Sequence, residues 1–569
     1  MDVPLINERI DDIPVLIQTL KTMGVSRIID EICPPHGNWV GLSLGEICTV
    51  WITYILSQGD HRLCKVQSWS NNHSCTLGLL LEKPVSEFDF TDDRLAIALE
   101  KLHDADTWDK IESRLNQDVI RVYGFNSKLV RFDCTTVSTY GVVDEEGLIR
   151  FGRSKDDPTN PQIKISMAIL DSLGLPLNIS VVPGNCADDP LYLPAIRKVR
   201  HSLQQSGLLY VGDCKMAAIG TRTEIAGTGD YYLMPLPEII CPAMEIRKNI
   251  VANESTEIPL IQVKREYADG EEKIIAQGFE VPVSLAHSFN NAKFCWNERR
   301  IFIQSVNYAH SQKTSLDNNI EKALAEIENL NRRGKGVRYP KTLEEAQMRV
   351  EKILKKHGVE DIVQVTFDID EVQIPKRKHG NKPDRIITEI TVTCSGIVDS
   401  TSYENRCKNQ GWRVYATNMP EDELSLEQVV LAYRNQYRIE DMFHRLKGKP
   451  TSLYPMLLNR DDHIDGLVKL LSIALRCIVC IEKRVHDSLK ESGERFEGIY
   501  EYNPKKSTKT PRAERILDLY KEITLTVINP GFNQKIFITE LSELQLKTLN
   551  RMKMPADLYD QMKVKVLYG

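Results

Sequence analysis

The order of strands and helices between residues 126 and 236 constrains the fold of this chain more than any other feature of its sequence. KLVRFDCTTVS predicts a short strand, and IKISMAILDSLGLPLNISVVPG predicts a hairpin of two strands. A helix, the strand LLYVGD, a second helix and the strand YYLMPLP follow in that order. The segment is therefore α/β, with three strands ahead of its first helix.

This strand order is that of an RNase H-like core, in which the first and fourth strands lie side by side in a mixed sheet. Asp133 would lie in the first strand and Asp213 immediately past the end of the fourth. Ligands of open α/β sheets gather at strand ends, so we expect both carboxylates to face one site.

A third carboxylate lies on a helix predicted downstream, in LAYRNQYRIEDMFHRLKG at residues 431–448. Ser425 and Gln428 form a capping box and Gly448 gives a stop signal, so about 22 residues are expected to form one helix. Its apolar stripe is Ile439, Met442, Phe443 and Leu446. A second face carries Tyr433, Tyr437, Glu440, His444 and Lys447. Taken alone, that face is typical of an ordinary solvated helix surface.

Three clustered carboxylates suit one kind of chemistry, the cleavage or transfer of a phosphodiester. That reaction needs an activated oxygen nucleophile and a stabilised leaving oxygen, and two Mg²⁺ ions about 4 Å apart supply both when carboxylates hold them. Without a cation, the carboxylates would repel one another and their pKa values would rise. We therefore expect two ions of Mg²⁺ or Mn²⁺ at Asp133, Asp213 and Glu440.

The overall composition indicates a globular protein with an uneven distribution of charge. The chain has 569 residues, 42% of them hydrophobic, and a net charge of −6. The net charge by itself argues against a nucleic-acid partner, but basic clusters at residues 332–341, 376–385 and 505–515 allow a locally positive groove. Each cluster could equally be a solvated loop.

Cysteine content and hydropathy indicate where the protein works. Thirteen cysteines are scattered without regular spacing, which suits a reducing cytoplasm better than a disulfide framework. The longest apolar stretch contains Lys469 and Arg476, and the first residues lack a signal-peptide pattern, so no membrane association is expected. We expect a cytoplasmic protein associated with the nucleoid.

The same patterns divide the chain into four parts. Helical periodicity predicts a mainly helical N-terminal domain at residues 1–125, followed by the first part of the RNase H-like core at 126–236. Antiparallel strand patterns with two charged helices predict a β-rich insertion domain at residues 237–415. Residues 416–569 would contain the second part of the core, with the helix that carries Glu440, and a C-terminal region.

Taken together, these segments resemble the DDE transposases of bacterial insertion sequences, in the subgroup named for its YREK motif. FDCTTVSTYG is similar to the family's first-Asp segment, and YVGDCKMA is similar to its second-Asp segment. YRNQYRIEDMFHRLK resembles the third-carboxylate helix, because Tyr433 lies seven residues before Glu440 and Lys447 seven after it. Gln436 stands where the motif has arginine. The resemblance covers nearly the whole chain.

The resemblance implies an endonuclease that cleaves DNA at the terminal inverted repeats of an insertion sequence and transfers the 3′-OH ends into target DNA. It implies that Asp133, Asp213 and Glu440 are the catalytic and metal-binding residues. DNA contacts are expected from Tyr433, Gln436, Tyr437, His444 and Lys447.

The same resemblance implies the partners. They are double-stranded DNA, as terminal inverted repeats and as target, and a second copy of the chain, because two DNA ends suggest a homodimer in the DNA-bound complex. The N-terminal domain would bind the DNA ends or mediate dimerisation.

Two other functions fit the same residues. An RNase H-like metal-dependent nuclease would cut DNA without joining strands, and a strand-transfer assay separates it from a transposase. A catalytically silent DNA-binding relative would be marked by loss of one of the three acidic residues, and all three are present in this sequence.

Overall fold

The computed structural model describes residues 5–154, 157–256, 259–266, 271–334, 338–376, 385–503, 505–530 and 534–565. The chain forms two compact units. The first unit consists of Met1–Met234, Leu285–Trp296 and Ala432–Gly569, and the second consists of Pro235–Ser284 and Asn297–Leu431. The division into four parts expected from the sequence stays a prediction.

The N-terminal part of the first unit is mainly helical because amphipathic segments there begin and end at clear capping signals. Ser43 and Glu46 form a capping box at the start of one helix, and Gly59 ends it in the left-handed conformation. The elements are β1 (Leu5–Arg9), α1 (Ile13–Met23), α2 (Val25–Ile32), α3 (Leu44–Gln58), α4 (Leu63–Asn71), α5 (Ser74–Leu81), α6 (Asp92–His103) and α7 (Ala105–Tyr123).

The segment that forms the predicted mixed sheet follows these helices. In chain order, its strands and helices are β2 (Leu129–Ser138), β3 (Gln162–Leu170), β4 (Leu175–Pro183), α8 (Tyr192–Leu203), β5 (Leu209–Val211), α9 (Ile219–Gly227) and β6 (Tyr231–Pro235). β3 pairs antiparallel with both β2 and β4, whereas β5 pairs parallel with β2 and β6. The first and fourth strands, β2 and β5, are therefore neighbours, and the RNase H-like fold is confirmed.

The second unit is rich in β-structure and has a hydrophobic core of its own. Its elements are α10 (Ala243–Ser255), β7 (Ile261–Glu266), β8 (Glu272–Phe289), β9 (Ala292–Ser305), α11 (Val306–Asn329), α12 (Leu343–His357), β10 (Val363–Lys376), β11 (Arg385–Val398), α13 (Ser400–Lys408) and β12 (Trp412–Thr417). The end of β8 and the start of β9, within Leu285–Trp296, belong to the first unit. β10 and β11 form an antiparallel ribbon. Ile320 and Ile327 of α11, Val350 of α12 and Val392 of β11 are buried in one cluster.

The rest of the first unit is built around one long buried helix. α14 (Leu426–Arg434) begins in the second unit and ends in the first. The elements that follow it are α15 (Tyr437–Lys447), α16 (Asp461–Ser492), α17 (Ala513–Asp518), β13 (Thr524–Ile528), β14 (Lys535–Ile538) and α18 (Glu543–Arg551). α16 packs against α3, α6, α15 and β4. The two cations within its apolar stretch are paired, Lys469 with Asp465 and Arg476 with Glu112, as buried charges require.

Two further observations complete the architecture. β13 pairs antiparallel with β1 and β14, which ties the two ends of the chain together within the first unit. None of the helices in the described ranges is long and apolar enough to cross a lipid bilayer.

Candidate active site

Asp133 lies in β2, and Asp213 lies just past the end of the neighbouring parallel strand β5, at the corresponding level. Arg131 of β2 is opposite Val211 of β5, and each aspartate is two residues further along its strand direction. Asp213 also caps a short 3₁₀ helix at Cys214–Ala217, where its Oδ1 accepts a hydrogen bond from the Lys215 N–H at 2.9 Å. The parallel pairing thus brings together two carboxylates that are 80 residues apart in the chain.

Tyr192, at the start of α8, binds Asp213. Its hydroxyl donates a hydrogen bond to Asp213 Oδ1 at 2.5 Å, and the side chain is almost fully buried. Burial, followed by the nearby charge of Asp213, raises the pKa of Tyr192 well above its ordinary value, and the charge of Asp133 acts in the same direction. Both carboxylates therefore lie within electrostatic reach of one phenol, which stays protonated and remains a donor.

The helix expected at residues 425–447 is in fact two helices, so the prediction of one continuous helix is wrong. The capping box of Ser425 and Gln428 is present, but α14 ends at Arg434 and α15 begins at Tyr437. The backbone N–H of Gln436 bonds to the carbonyl of Tyr433 at 3.1 Å, which is a tighter turn than the α-helical one. Tyr433 is consequently not on the helix that carries Glu440.

A tertiary contact at the break explains why local helix signals did not predict it. The side-chain amide of Gln436 donates a hydrogen bond to the carbonyl of Phe132, the residue before Asp133, at 3.3 Å. This bond spans 304 residues of sequence. Gln436, at the arginine position of the motif, thus engages the backbone of β2. Its contact with DNA stays a prediction.

α15 presents two faces, as its periodicity indicates. The predicted apolar stripe of Ile439, Met442, Phe443 and Leu446 is buried. α15 packs against β2 and β3. Glu440 and His444 are exposed, and Tyr437 is 51% exposed. The face that carries the third carboxylate is therefore open to solvent while the opposite face lies on the sheet.

A buried ion network fixes the other side of α15. Arg445 donates to Glu482 of α16 and, at 3.1 Å, to Glu514 of α17, and the side chains of Arg445 and Glu482 are both nearly inaccessible. Arg512 pairs with Asp441, the neighbour of Glu440, at 2.6 Å. The basic cluster at residues 505–515 is thereby anchored to the helix that carries Glu440.

The other two basic clusters are less completely described. Residues 377–384 of the second cluster and 335–337 of the first lie outside the described residues. Their proposed part in a positive groove stays a prediction.

The donor chemistry of the three acidic residues fits Mg²⁺ or Mn²⁺, which prefer oxygen ligands. Their carboxylate oxygens, all within the described ranges, do not all lie within 4.8 Å of one another. Two oxygens on one Mg²⁺ are at most about 4.2 Å apart, because each is bound at about 2.1 Å. As placed, the three carboxylates therefore could not all bind a single ion.

Among the described residues, one group of potential metal ligands is compact, Glu100 with Asp462 and His463. Arg460 already pairs with both of its carboxylates, at 2.8 Å to Glu100 and 2.5 Å to Asp462. The arrangement is a surface ion network, and it contains none of the residues singled out in the sequence.

A polar cleft of about 600 Å³ is lined by residues close in sequence to the aspartates. Its lining includes Cys134, Thr135 and Thr136, which follow Asp133 on β2, and the cations Lys164 and Lys215. Both lysines have acidic partners in the cleft wall: Lys164 pairs with Asp188 at 2.6 Å and Lys215 with Asp189 at 3.7 Å. The cleft is therefore polar and of mixed charge.

Sequence reasoning missed several side chains that shape this site. No local motif marks Tyr192 as a partner of Asp213, and Asp171, in the β3–β4 turn, looks like an ordinary turn residue. One signal was available: Arg131 lies in a strand whose other residues predict burial, and a buried arginine requires an acidic partner.

Comparison with known proteins identifies the family of the chain. The family model of the transposase DDE domain matches residues 132–475, more than half of the chain, and a model of a domain of unknown function, DUF4277, matches residues 5–113. No curated protein matches the chain. A cryo-EM structure of the piggyBac transposase synaptic complex with hairpin DNA is similar at 10% identity and a TM-score of 0.34, over 97% of this chain and 85% of that chain. At that level, the likeness supports no further statement.

The segment matched by the family model begins one residue before Asp133 and contains Asp213 and Glu440. The chain belongs to the transposase DDE domain family.

Proposed function

We propose that this transposase cleaves DNA at the terminal inverted repeats of its own insertion sequence and transfers the resulting 3′-OH ends into target DNA. The observation that carries the proposal is that Asp133 of β2 and Asp213, just past the parallel strand β5, lie at corresponding levels, with the helix of Glu440 packed against β2. Membership of the DDE family supports the reaction class.

In the proposed reaction, the chain's own residues prepare a site for two divalent cations, Mg²⁺ or Mn²⁺. Asp133, Asp213 and Glu440 would be the ligands. Tyr192 bonds Oδ1 of Asp213 and so orients the carboxylate, leaving Oδ2 for an ion. When bound, the cations activate an oxygen nucleophile and stabilise the leaving oxygen of the phosphodiester.

We assign DNA contacts to the open face of α15 and to its surroundings. Tyr437 and His444 are exposed on the helix that carries Glu440. Lys447 ends the helix, and Tyr433 and Gln436 lie just before it, so all five residues of the expected contact set stay candidates. The YREK subgroup assignment rests on the same positions, with glutamine in place of the motif's arginine.

The partners and domain roles follow from the proposed reaction. Double-stranded DNA is the substrate, both as inverted repeats and as target, and two DNA ends favour a homodimer in the DNA-bound complex. The N-terminal helical region would bind the ends or join the two subunits. Such a protein would act at the nucleoid.

The experiment is Mg²⁺-dependent cleavage of a fragment that carries the gene's own flanking DNA. We expect the wild type to cut at defined ends and Glu440→Gln to lose more than about 100-fold in rate, because the amide is a much weaker ligand than the carboxylate. Glu491→Gln, which changes an exposed glutamate near the end of α16, is the matched control and should cut normally.

The outcomes separate the alternatives. Full activity of Glu440→Gln would contradict the proposal. Cleavage without joined products in a strand-transfer assay would favour a nuclease, and DNA binding without cleavage by the wild type would favour a silent relative.

A further inference from the structure

Arg131 is a fully buried cation two residues before Asp133 on β2. Its side chain has no accessible surface. Arginine keeps its charge even when buried, so the guanidinium must be compensated inside the protein. The compensating group therefore also influences the strand that carries the first aspartate.

The partner of Arg131 is Asp171, in the turn after β3. Asp171 Oδ1 accepts from Nε of Arg131, and the backbone N–H of Asp171 donates to the carbonyl of Leu129 at 2.9 Å. The side chain of Asp171 is only 15% exposed. The carboxylate is thus held firmly against the N-terminal half of β2.

The second carboxylate oxygen of Asp171 binds the helix that carries Glu440. Arg438 Nη1 donates to Asp171 Oδ2 at 3.0 Å, to the backbone carbonyl of Asp171, and to the carbonyl of Ser172 at 3.4 Å. Arg438 lies in the first turn of α15, two residues before Glu440. One carboxylate therefore joins two arginines, each two residues from a carboxylate of the candidate active site.

Charge makes this link necessary. The two arginines repel each other, and without Asp171 that repulsion would favour separation of α15 from β2. The hydrogen bond from Gln436 to the Phe132 carbonyl also joins α15's N-terminus to β2. It is a neutral bond of 3.3 Å, and such bonds are weaker than charged ones. Asp171 therefore provides a charged link between β2 and α15.

We propose that Asp171 is a positioning residue that sets the separation of Asp133 and Glu440, and through it the affinity of the site for divalent cations. The inference rests on the proposed function, because it takes these two residues as metal ligands. Asp171 itself contacts neither the cations nor the DNA in this proposal.

The test measures Mn²⁺ binding to the full-length protein by titration calorimetry, and independently the Mn²⁺ concentration that half-saturates DNA cleavage. We expect Asp171→Asn to raise both concentrations by about 10-fold or more, because loss of a residue that orients metal ligands typically costs that much. High Mn²⁺ should restore much of the cleavage rate.

The matched control is Asp118→Asn. Asp118 of α7 also joins arginines, Arg27 at 2.8 Å and Arg121 at 2.7 Å, and its side chain is 10% exposed. It shares the ion-network chemistry of Asp171 but lies in the N-terminal helical region. We expect its variant to bind Mn²⁺ as the wild type does. Equal weakening by both variants would overturn the proposal.

Arg438→Gln covers the case in which Asp171→Asn fails to fold. It leaves the buried pair of Arg131 and Asp171 intact and removes only the link to α15. We expect weaker Mn²⁺ binding in the same direction. Unchanged binding in a folded Arg438→Gln protein overturns the positioning role.

Glu440→Gln separates failure of this inference from failure of the proposed function. If Glu440→Gln weakens Mn²⁺ binding while Asp171→Asn and Arg438→Gln bind normally, the positioning role alone is wrong. If Glu440→Gln binds Mn²⁺ as tightly as the wild type, Glu440 is no ligand, and both the proposed function and the positioning role are overturned.

Discussion

At the scale of single residues, Tyr192 should control how well Asp213 serves the reaction. We expect Tyr192→Phe to slow cleavage by about 10-fold while the fold is kept, because only the hydroxyl that bonds Asp213 is removed. Single-turnover cleavage across a range of Mg²⁺ concentrations measures the effect. Tyr520→Phe removes a comparable buried hydroxyl, bonded to the carbonyl of Gln545, and should leave cleavage unchanged. Equal rates for all three proteins would contradict the assignment.

Asp12 gives a prediction about stability and pH. Burial raises its pKa to about 6, against an ordinary value near 4. The folded state therefore holds the proton more tightly than the unfolded state, so Asp12 favours folding below about pH 4, and this contribution is lost as pH rises through about 6.

Replacing the carboxyl with a neutral amide should reverse that loss. We expect Asp12→Asn to be more stable than the wild type by about 2–3 kcal/mol at pH 7.5, and by less than about 1 kcal/mol at pH 4. Urea denaturation at both pH values measures the difference, with Asp106→Asn, at an exposed position, as control. A gain that does not depend on pH would show that Asp12 is not the titrating group.

At the scale of elements, a buried ion pair of α15 should stabilise the fold more than an exposed one. Arg445→Met leaves the buried Glu482 without its arginine, and we expect a loss of about 3–5 kcal/mol in the free energy of unfolding. Arg512→Met breaks a pair in which the arginine is 55% exposed, and should cost less than about 1 kcal/mol. Urea denaturation of both variants tests this, and similar losses would refute it.

The two-helix arrangement around Glu440 also belongs to this scale. The apolar period of α15 and the capping box of α14 were readable in the sequence, because both depend on neighbours within a few residues. The break between the two helices was not readable in the sequence. It coincides with a hydrogen bond from Gln436 to the carbonyl of Phe132, 304 residues away in the chain.

At the scale of the whole molecule, the two compact units each have a core that should respond independently. Ile327 lies in the second unit and Ile473 in α16 of the first, and both are buried. We expect Ile327→Ala to cost about 2–5 kcal/mol locally and to speed amide exchange in α11 and α12, while α16 stays protected.

Hydrogen exchange followed by mass spectrometry measures this response, and Ile473→Ala should give the opposite pattern. If either variant accelerates exchange in both units alike, the chain unfolds as one cooperative body and the prediction is wrong.

The sequence by itself determined the order of strands and helices, the RNase H-like core and three candidate carboxylates. Periodicity, caps and turn residues act over a few positions, so they can be read without the fold. The placement of Asp133 beside Asp213 was predictable because the strand order makes β2 and β5 neighbours, although Asp133 lies within β2 and only Asp213 follows a strand end.

Only the tertiary structure decided what surrounds those carboxylates. Tyr192 meets Asp213, and Asp171 joins Arg131 to Arg438, through contacts between residues 21 to 267 positions apart. A tyrosine and a turn aspartate carry no local mark of such partners. Their roles arise when the sheet and α15 pack together and buried charges must be paired within the space that packing leaves.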